Sequence, residues 1–226
     1  MPQLNLPNAI TIGRILIAPL IAALPFISSP FARLAGFVAF ITAAVSDYFD
    51  GMLARTRNLE TDLGRLLDPL ADKLLLFATL IPMFVLMSPP TDWLAPGPSS
   101  VGAAHSFPFI TPLGNVGLPW WIVAIVLGRE LFMTVFRQLA AARGVVIAAI
   151  GPAKWKTGFQ STWVGSAYFW FFASTLAARN NWDTAAWQAF AYLNAFVGIT
   201  TMVAAVILTL YSLFLYIKRY GGIFSR

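Results

Sequence analysis

Six apolar segments dominate this chain: approximately Ala9 to Ile27, Phe31 to Asp47, Leu66 to Met87, Leu118 to Ala140, Thr157 to Leu176 and Trp187 to Ile217. A helix rises about 1.5 Å per residue, so about 20 apolar residues cross a hydrocarbon core of about 30 Å. Strands and soluble core helices are usually shorter. The segments therefore predict six transmembrane helices in an all-α, polytopic membrane protein. Composition agrees, with 58% hydrophobic and 11% charged residues against about 25% charged in a soluble domain. Residues 1–226 read as one membrane domain. The first basic residue is Arg14, already inside the first apolar run, so that run is expected to be a retained span rather than a cleaved signal. Arg14 lies near one end of it, where a long cationic side chain is expected to snorkel.

Charge sets the expected orientation. Arg14, Arg55, Arg57, Arg65, Arg137, Arg143, Lys154, Lys156, Lys218, Arg219 and Arg226 fall on one side of a six-span arrangement, and Arg33 and Arg179 on the other. Lys73 and Arg129 lie within spans. The positive-inside rule then places both termini in the cytoplasm of a cell membrane protein. Trp93, Trp120, Trp121, Trp182 and Trp187 gather near the outer ends of spans, as an interfacial aromatic belt does. The net charge of +6 is accounted for by basic loops facing anionic lipid, and without a separate basic domain nucleic acid is not an expected partner. The absence of cysteine excludes disulfides and thiolate zinc sites. The outer loop from Ser88 to Gly117 is rich in Pro and Gly, and His105 within it reads as a solvated loop histidine without neighbouring ligands.

The stretch from Asp47 to Lys73 carries the chemistry. Asp47, Asp50, Gly51 and Ala54 fall within an arc of about 100° on a helix, with Arg55 at its edge. Asp68 and Asp72 form an i, i+4 pair, and Gly64 lies one turn back on the same face. If the second and third spans pack antiparallel through the short Thr56 to Leu63 connection, the two acidic pairs meet. Four clustered carboxylates repel, and an aspartate at the bilayer centre costs about 2.5 to 3.5 kcal/mol on the insertion scale. Arg55, Arg65 and Lys73 can neutralise part of that charge. All-carboxylate ligation without Cys or His points to hard divalent ions, Mg²⁺ or Mn²⁺, and two such ions can clamp a phosphoryl group. The plainer alternative is a solvated cytoplasmic face. Gly51 lets a nucleotide approach the backbone, and Gly64 allows close helix contact.

The pattern DxxDGxxAR, followed after eight residues by GxxxDxxxD, resembles the signature of the CDP-alcohol phosphotransferases. Its eight fixed positions are Asp47, Asp50, Gly51, Ala54, Arg55, Gly64, Asp68 and Asp72. The resemblance implies six transmembrane helices, a homodimer, and a two-metal site open to the cytoplasm. It assigns Asp47, Asp50, Asp68 and Asp72 to metal binding, makes Asp72 the general base, and gives Gly51, Ala54, Arg55 and Gly64 to the CDP group. The donor it implies is CDP-diacylglycerol.

Further segments resemble bacterial phosphatidylglycerophosphate synthases: Leu6 to Arg14, then Gly128-Arg129-Glu130, then Lys154-Trp155-Lys156-Thr157. This resemblance implies glycerol 3-phosphate as the acceptor. An acceptor phosphate needs cations, and Arg129, Arg137, Lys154 and Lys156 are the candidates. A structural Arg129–Glu130 pair and a plain positive-inside loop at Lys154 and Lys156 are the alternatives. Within the class, transfer to inositol phosphate, serine or phosphatidylglycerol stays open. Outside it stands an ion-coupled transporter using the same acids, which the absence of an internal repeat disfavours.

Overall fold

The computed structural model describes residues 6–56, 61–88, 106–145, 147 and 151–221. Within these ranges the side chains at 48, 50–56, 62, 63, 65, 66 and 152–154 fall outside the described set, as do His105 and Trp93 altogether. Among the described residues six α-helices follow one another: α1 (Leu6–Ala23), α2 (Pro30–Thr56), α3 (Asp62–Met87), α4 (Trp120–Ala142), α5 (Gly151–Arg179) and α6 (Ala185–Tyr220). A short hairpin, β1 (Phe109–Thr111) and β2 (Gly114–Val116), interrupts them between α3 and α4. The protein is thus an all-α, multi-pass membrane protein with one small β ornament.

Four stretches of helix, rather than the six expected, are long and apolar enough to cross a membrane among the described residues: Leu6–Phe26, Pro30–Asp47, Leu67–Met87 and Ala185–Tyr220. The other two helices fall short for readable reasons. Every 18-residue window of α4 contains Arg129, Glu130 and Arg137. The apolar run of α5 is diluted by Gly158, Gln160, Ser161, Thr162, Gly165 and Ser166. Hydropathy alone equates polar with exposed, and here that equation fails. Helix α5 is the core of the bundle: Trp163, Val164, Ala167, Tyr168, Trp170 and Phe171 are all buried.

Helices α5 and α6 pack against each other. Ser166 Oγ donates to the Asn194 carbonyl at 3.1 Å, a polar link inside the apolar seam. Tyr168 donates its phenol to the carbonyls of Ile21 and Ala78 at 3.2 and 3.1 Å, tying α5 to α1 and α3. Both bonds satisfy groups that water does not reach.

The end of the bundle away from the acids is closed by Arg33 and the hairpin. Arg33, counted from the sequence only as a charge on the side opposite Arg14, is buried. Its Nε donates to the Pro25 carbonyl at 2.9 Å, another guanidinium nitrogen donates to Thr175 Oγ1, and the guanidinium stacks 4.4 Å over the Phe107 ring. The hairpin pairs Phe109 with Val116 and Thr111 with Gly114. It is anchored by bonds from Phe107 N to the Leu86 carbonyl and from Leu118 N to the Met87 carbonyl, both 2.8 Å, which satisfy acceptors at the end of α3. The Phe109 ring fills the notch left by Gly198, where a Cβ would lie 2.4 Å from a ring carbon.

That notch generates a stability prediction. Gly198→Ala forces the Phe109 ring or the hairpin to shift, and overpacking of this kind costs about 1–3 kcal/mol. Thermal unfolding of the detergent-solubilised protein is expected to show a clear drop in Tm for Gly198→Ala. Gly128→Ala, where a Cβ meets nothing within 4 Å, is expected to leave Tm unchanged or raise it.

Candidate active site

The site is built on the first turns of α1. In this otherwise apolar helix Asn8, Thr11 and Arg14 recur every third residue, and all three are buried. Each meets the acidic region at a successive level. Asn8 Nδ2 donates to Thr61 Oγ1 at 2.9 Å, and Thr61 Oγ1 lies 3.1 Å from Asn8 Oδ1. Thr61 is also the N-cap of α3, accepting from Gly64 N at 3.0 Å. Thr11 Oγ1 donates to Asp68 Oδ1 at 2.9 Å. Arg14 Nη1 pairs with Asp47 Oδ1 and, at 3.2 Å, with Asp72 Oδ1. Ascending α1 therefore means ascending α3, so the two helices start side by side and run in the same direction.

Arg14 does not snorkel. Its side chain is 2% exposed, while those of Asp47 and Asp72 are 47% and 61% exposed. The guanidinium forms the buried floor and the carboxylates face outward. It also brings the last membrane turn of α2 and the third turn of α3 to one nitrogen. Gly64 serves the same packing, since a Cβ there would stand 2.8 Å from Asn8 Oδ1.

A second charged group faces the first. Glu130 on α4 accepts from Arg129 Nη1 at 2.8 Å and from Lys156 Nζ on α5. Arg129 Nη2 continues to Ser212 Oγ on α6 at 3.1 Å. Arg137 sits further along, its Nη2 3.5 Å from the Tyr216 hydroxyl. One cavity of about 350 Å³ joins the two groups: Arg14, Asp47 and Asp72 line one part of it, and Glu130, Lys156, Thr157 and Gln160 another. The larger cavity, of about 520 Å³ between α2, α5 and α6, has an apolar lining and shares Phe40, Ala44 and Ser161 with the first.

The residues singled out from sequence are distributed as follows. Asp47 and Asp72 share the cavity and the Arg14 guanidinium. Asp68 is exposed and held by Thr11 but does not line the cavity. Asp50, Gly51, Ala54 and Arg55 lie on the last turns of α2, with side chains outside the described residues. Of the four acceptor cations, Lys156 lines the cavity, Arg129 stands behind Glu130, Arg137 is exposed beside Tyr216, and the Lys154 side chain lies outside the described residues. Sequence reasoning assigned no role to Asn8 or Thr11, offered Glu130 only as a structural partner of Arg129, and read Arg14 as an interfacial charge. The readable signal was a polar residue at every third position of an apolar span.

The donor set fits a hard divalent ion in chemistry: Asp47, Asp68 and Asp72 offer carboxylate oxygen, and neither His nor Cys accompanies them. Among the described residues no group of three or more His, Cys, Asp or Glu is gathered closely enough to hold an ion. The fourth acid of the pattern, Asp50, has its side chain outside that set.

The family model for CDP-alcohol phosphatidyltransferase matches residues 4–217. A rice protein, cardiolipin synthase (CMP-forming), is 31% identical over 163 residues, covering 70% of this chain and 44% of the rice protein. A Bacillus subtilis protein named CDP-diacylglycerol--glycerol-3-phosphate 3-phosphatidyltransferase is 36% identical over 168 residues, covering 69% of this chain and 72% of its own length. A probable phosphatidylglycerophosphate synthase of Mycobacterium tuberculosis strain H37Rv is 32% identical over 164 residues, with 71% and 64% covered. The chain spans less than two thirds of the length of several relatives, the rice protein among them. A match over nearly the whole sequence, with the signature acids Asp47 and Asp72 on adjoining helices at one cavity, places the chain in the CDP-alcohol phosphatidyltransferase family.

Proposed function

We propose that this protein transfers a phosphatidyl group from CDP-diacylglycerol to glycerol 3-phosphate, giving phosphatidylglycerophosphate and CMP. The observation that carries the reading is the shared cavity, which has acids of the signature on one side and the Glu130–Lys156 pair on the other. A small phosphomonoester suits that space, with Lys156 and, behind it, Arg129 as cations for its phosphate. Two of the relatives described above carry names of this activity. The name of the rice relative favours a second reading, in which phosphatidylglycerol is the acceptor. A family of transferases leaves the transporter reading without support.

In this reading Asp47, Asp50, Asp68 and Asp72 hold one or two Mg²⁺ or Mn²⁺ ions, and Gly51, Ala54, Arg55 and Gly64 border the CDP group. When bound, such ions supply charge neutralisation at the pyrophosphate and stabilise the leaving phosphate. Asp72 takes the proton from the primary hydroxyl of the acceptor, whose oxygen forms the new bond to the β-phosphorus as the bond to CMP breaks. Arg14 fixes Asp72 through Oδ1, which leaves the second oxygen for the acceptor. Lys156 orients the acceptor phosphate so that its hydroxyl points at Asp72.

The chain is read as a single domain that forms a homodimer, with both termini and the site on the cytoplasmic face. Helices α4 and α5 also cross the membrane in this reading, their charged and polar residues turned toward protein rather than lipid, as the contacts of Glu130, Lys156 and Ser166 allow.

The direct test supplies radiolabelled CDP-diacylglycerol and Mg²⁺ to the purified protein with glycerol 3-phosphate, inositol phosphate, serine or phosphatidylglycerol in turn. Phosphatidylglycerophosphate from glycerol 3-phosphate is the expected product. A labelled lipid formed from phosphatidylglycerol alone establishes the second reading instead.

Steady-state kinetics separate the two sides of the cavity. Asp72→Asn is expected to lower kcat by about 10² to 10⁴, the usual cost of losing a general base, with little change in either KM. Lys156→Gln is expected to raise KM for glycerol 3-phosphate while leaving that for CDP-diacylglycerol near wild type. A rise in both KM values for Lys156→Gln contradicts its assignment to the acceptor.

A further inference from the structure

Thr11 takes no part in the chemistry above, yet it is buried and its hydroxyl crosses from α1 to an acid 57 residues away. A threonine inside a helix commonly satisfies its hydroxyl on the carbonyl four residues back. Pro7 offers that acceptor here, at 3.2 Å. The contact to Asp68 Oδ1 is the shorter one, at 2.9 Å, and it links two helices. Local satisfaction of the hydroxyl does not require it.

The three signature acids with described side chains are held in two different ways. Asp47 and Asp72 meet a guanidinium, and part of their charge is spent on Arg14. Asp68 meets a neutral hydroxyl. A neutral donor fixes the direction of a carboxylate without cancelling its charge, which is what a ligand to a divalent cation requires. It also occupies one oxygen, Oδ1, and so directs Oδ2 away from α1. Hydrogen bonds of this kind behind a ligating carboxylate typically contribute about 10- to 100-fold in metal affinity.

The geometry points to Thr11 as a positioning residue for Asp68, one that orients this carboxylate for a divalent cation while leaving its charge intact. The inference rests on the reading above, in which Asp68 is a metal ligand. Asn8 and Gly64 support it from below, because their close contact fixes the register of α1 on α3 that sets Thr11 opposite Asp68. Thr11→Val keeps the shape of the side chain and removes the donor, and Thr11→Ser keeps the donor and removes a methyl group.

The experiment is a titration of the purified full chain in detergent with Mn²⁺, followed by electron paramagnetic resonance of the free ion and paired with thermal unfolding. Thr11→Val is expected to weaken Mn²⁺ binding by about 10-fold or more at nearly unchanged Tm, with Thr11→Ser close to wild type. In an Asp68→Asn background the Thr11→Val change is expected to have no further effect, since the two residues act as one unit. Wild-type affinity in Thr11→Val, or equal loss in Thr11→Ser, overturns the inference while leaving the metal site standing. If wild-type protein binds no Mn²⁺, or Asp68→Asn binds it as tightly as wild type, the reading of Asp68 as a ligand fails, and the inference with it.

Discussion

Arg14 is buried on a helix made mostly of apolar residues, and it reaches carboxylates on two other helices. A guanidinium in such a place is stable only when its charge is met and its donors are directed at acceptors. The need is mutual, because Asp47 and Asp72 would otherwise repel across the α2–α3 boundary. Arg14 is buried although both carboxylates are about half exposed, so loss of the acids would strand a buried guanidinium, and this contact constrains how α1, α2 and α3 meet. The positions of Thr11 and Asn8 follow from it. Once Arg14 is level with Asp72, the helical rise sets Thr11 near Asp68 and Asn8 near Gly64, where the missing Cβ makes room for the amide.

The same logic explains the rest of the bundle. Charged and small polar residues that make α4 and α5 poor lipid-facing helices are used against protein. Glu130 joins Arg129 and Lys156 across two helices, Ser166 reaches Asn194, and Tyr168 reaches carbonyls on α1 and α3. At the end away from the acids Arg33 does for Pro25, Thr175 and Phe107 what Arg14 does for the acids, joining separate segments through one buried cation. The acidic end differs in leaving its carboxylates exposed beside a cavity. The end held by Arg33 is structural, and the acidic end can do chemistry.

The sequence carried the helices and the acids plainly. Length and composition marked the apolar runs, and the spacing of Asp47, Asp68 and Asp72 on glycine-bearing turns marked the candidate site. It was less direct about α4 and α5, because hydropathy scores Arg129, Glu130 and Ser166 without knowing that each has a partner on another helix. Arg14 was read as interfacial, and Arg33 only as a charge on the opposite side, for one reason: a cation near the end of a span can snorkel or turn inward, and only the opposing element decides. For Arg14 that element was in view, since two acids lay in the adjoining spans. For Arg33 it was a carbonyl and an aromatic ring, which leave no charge pattern to read. Asn8 and Thr11 were visible as polar residues in an apolar helix, but their targets depended on the parallel register of α1 and α3.

The central claim is that acids from α2 and α3, organised by α1, form a divalent-metal site facing the cavity that contains Lys156. Anomalous diffraction from crystals grown with Mn²⁺ and CDP-diacylglycerol tests it most directly. The account predicts anomalous peaks about 2 Å from carboxylate oxygens of Asp47, Asp68 and Asp72, on the cavity side of Arg14. Mn²⁺ bound elsewhere, with these aspartates contacting only protein and water, would contradict it.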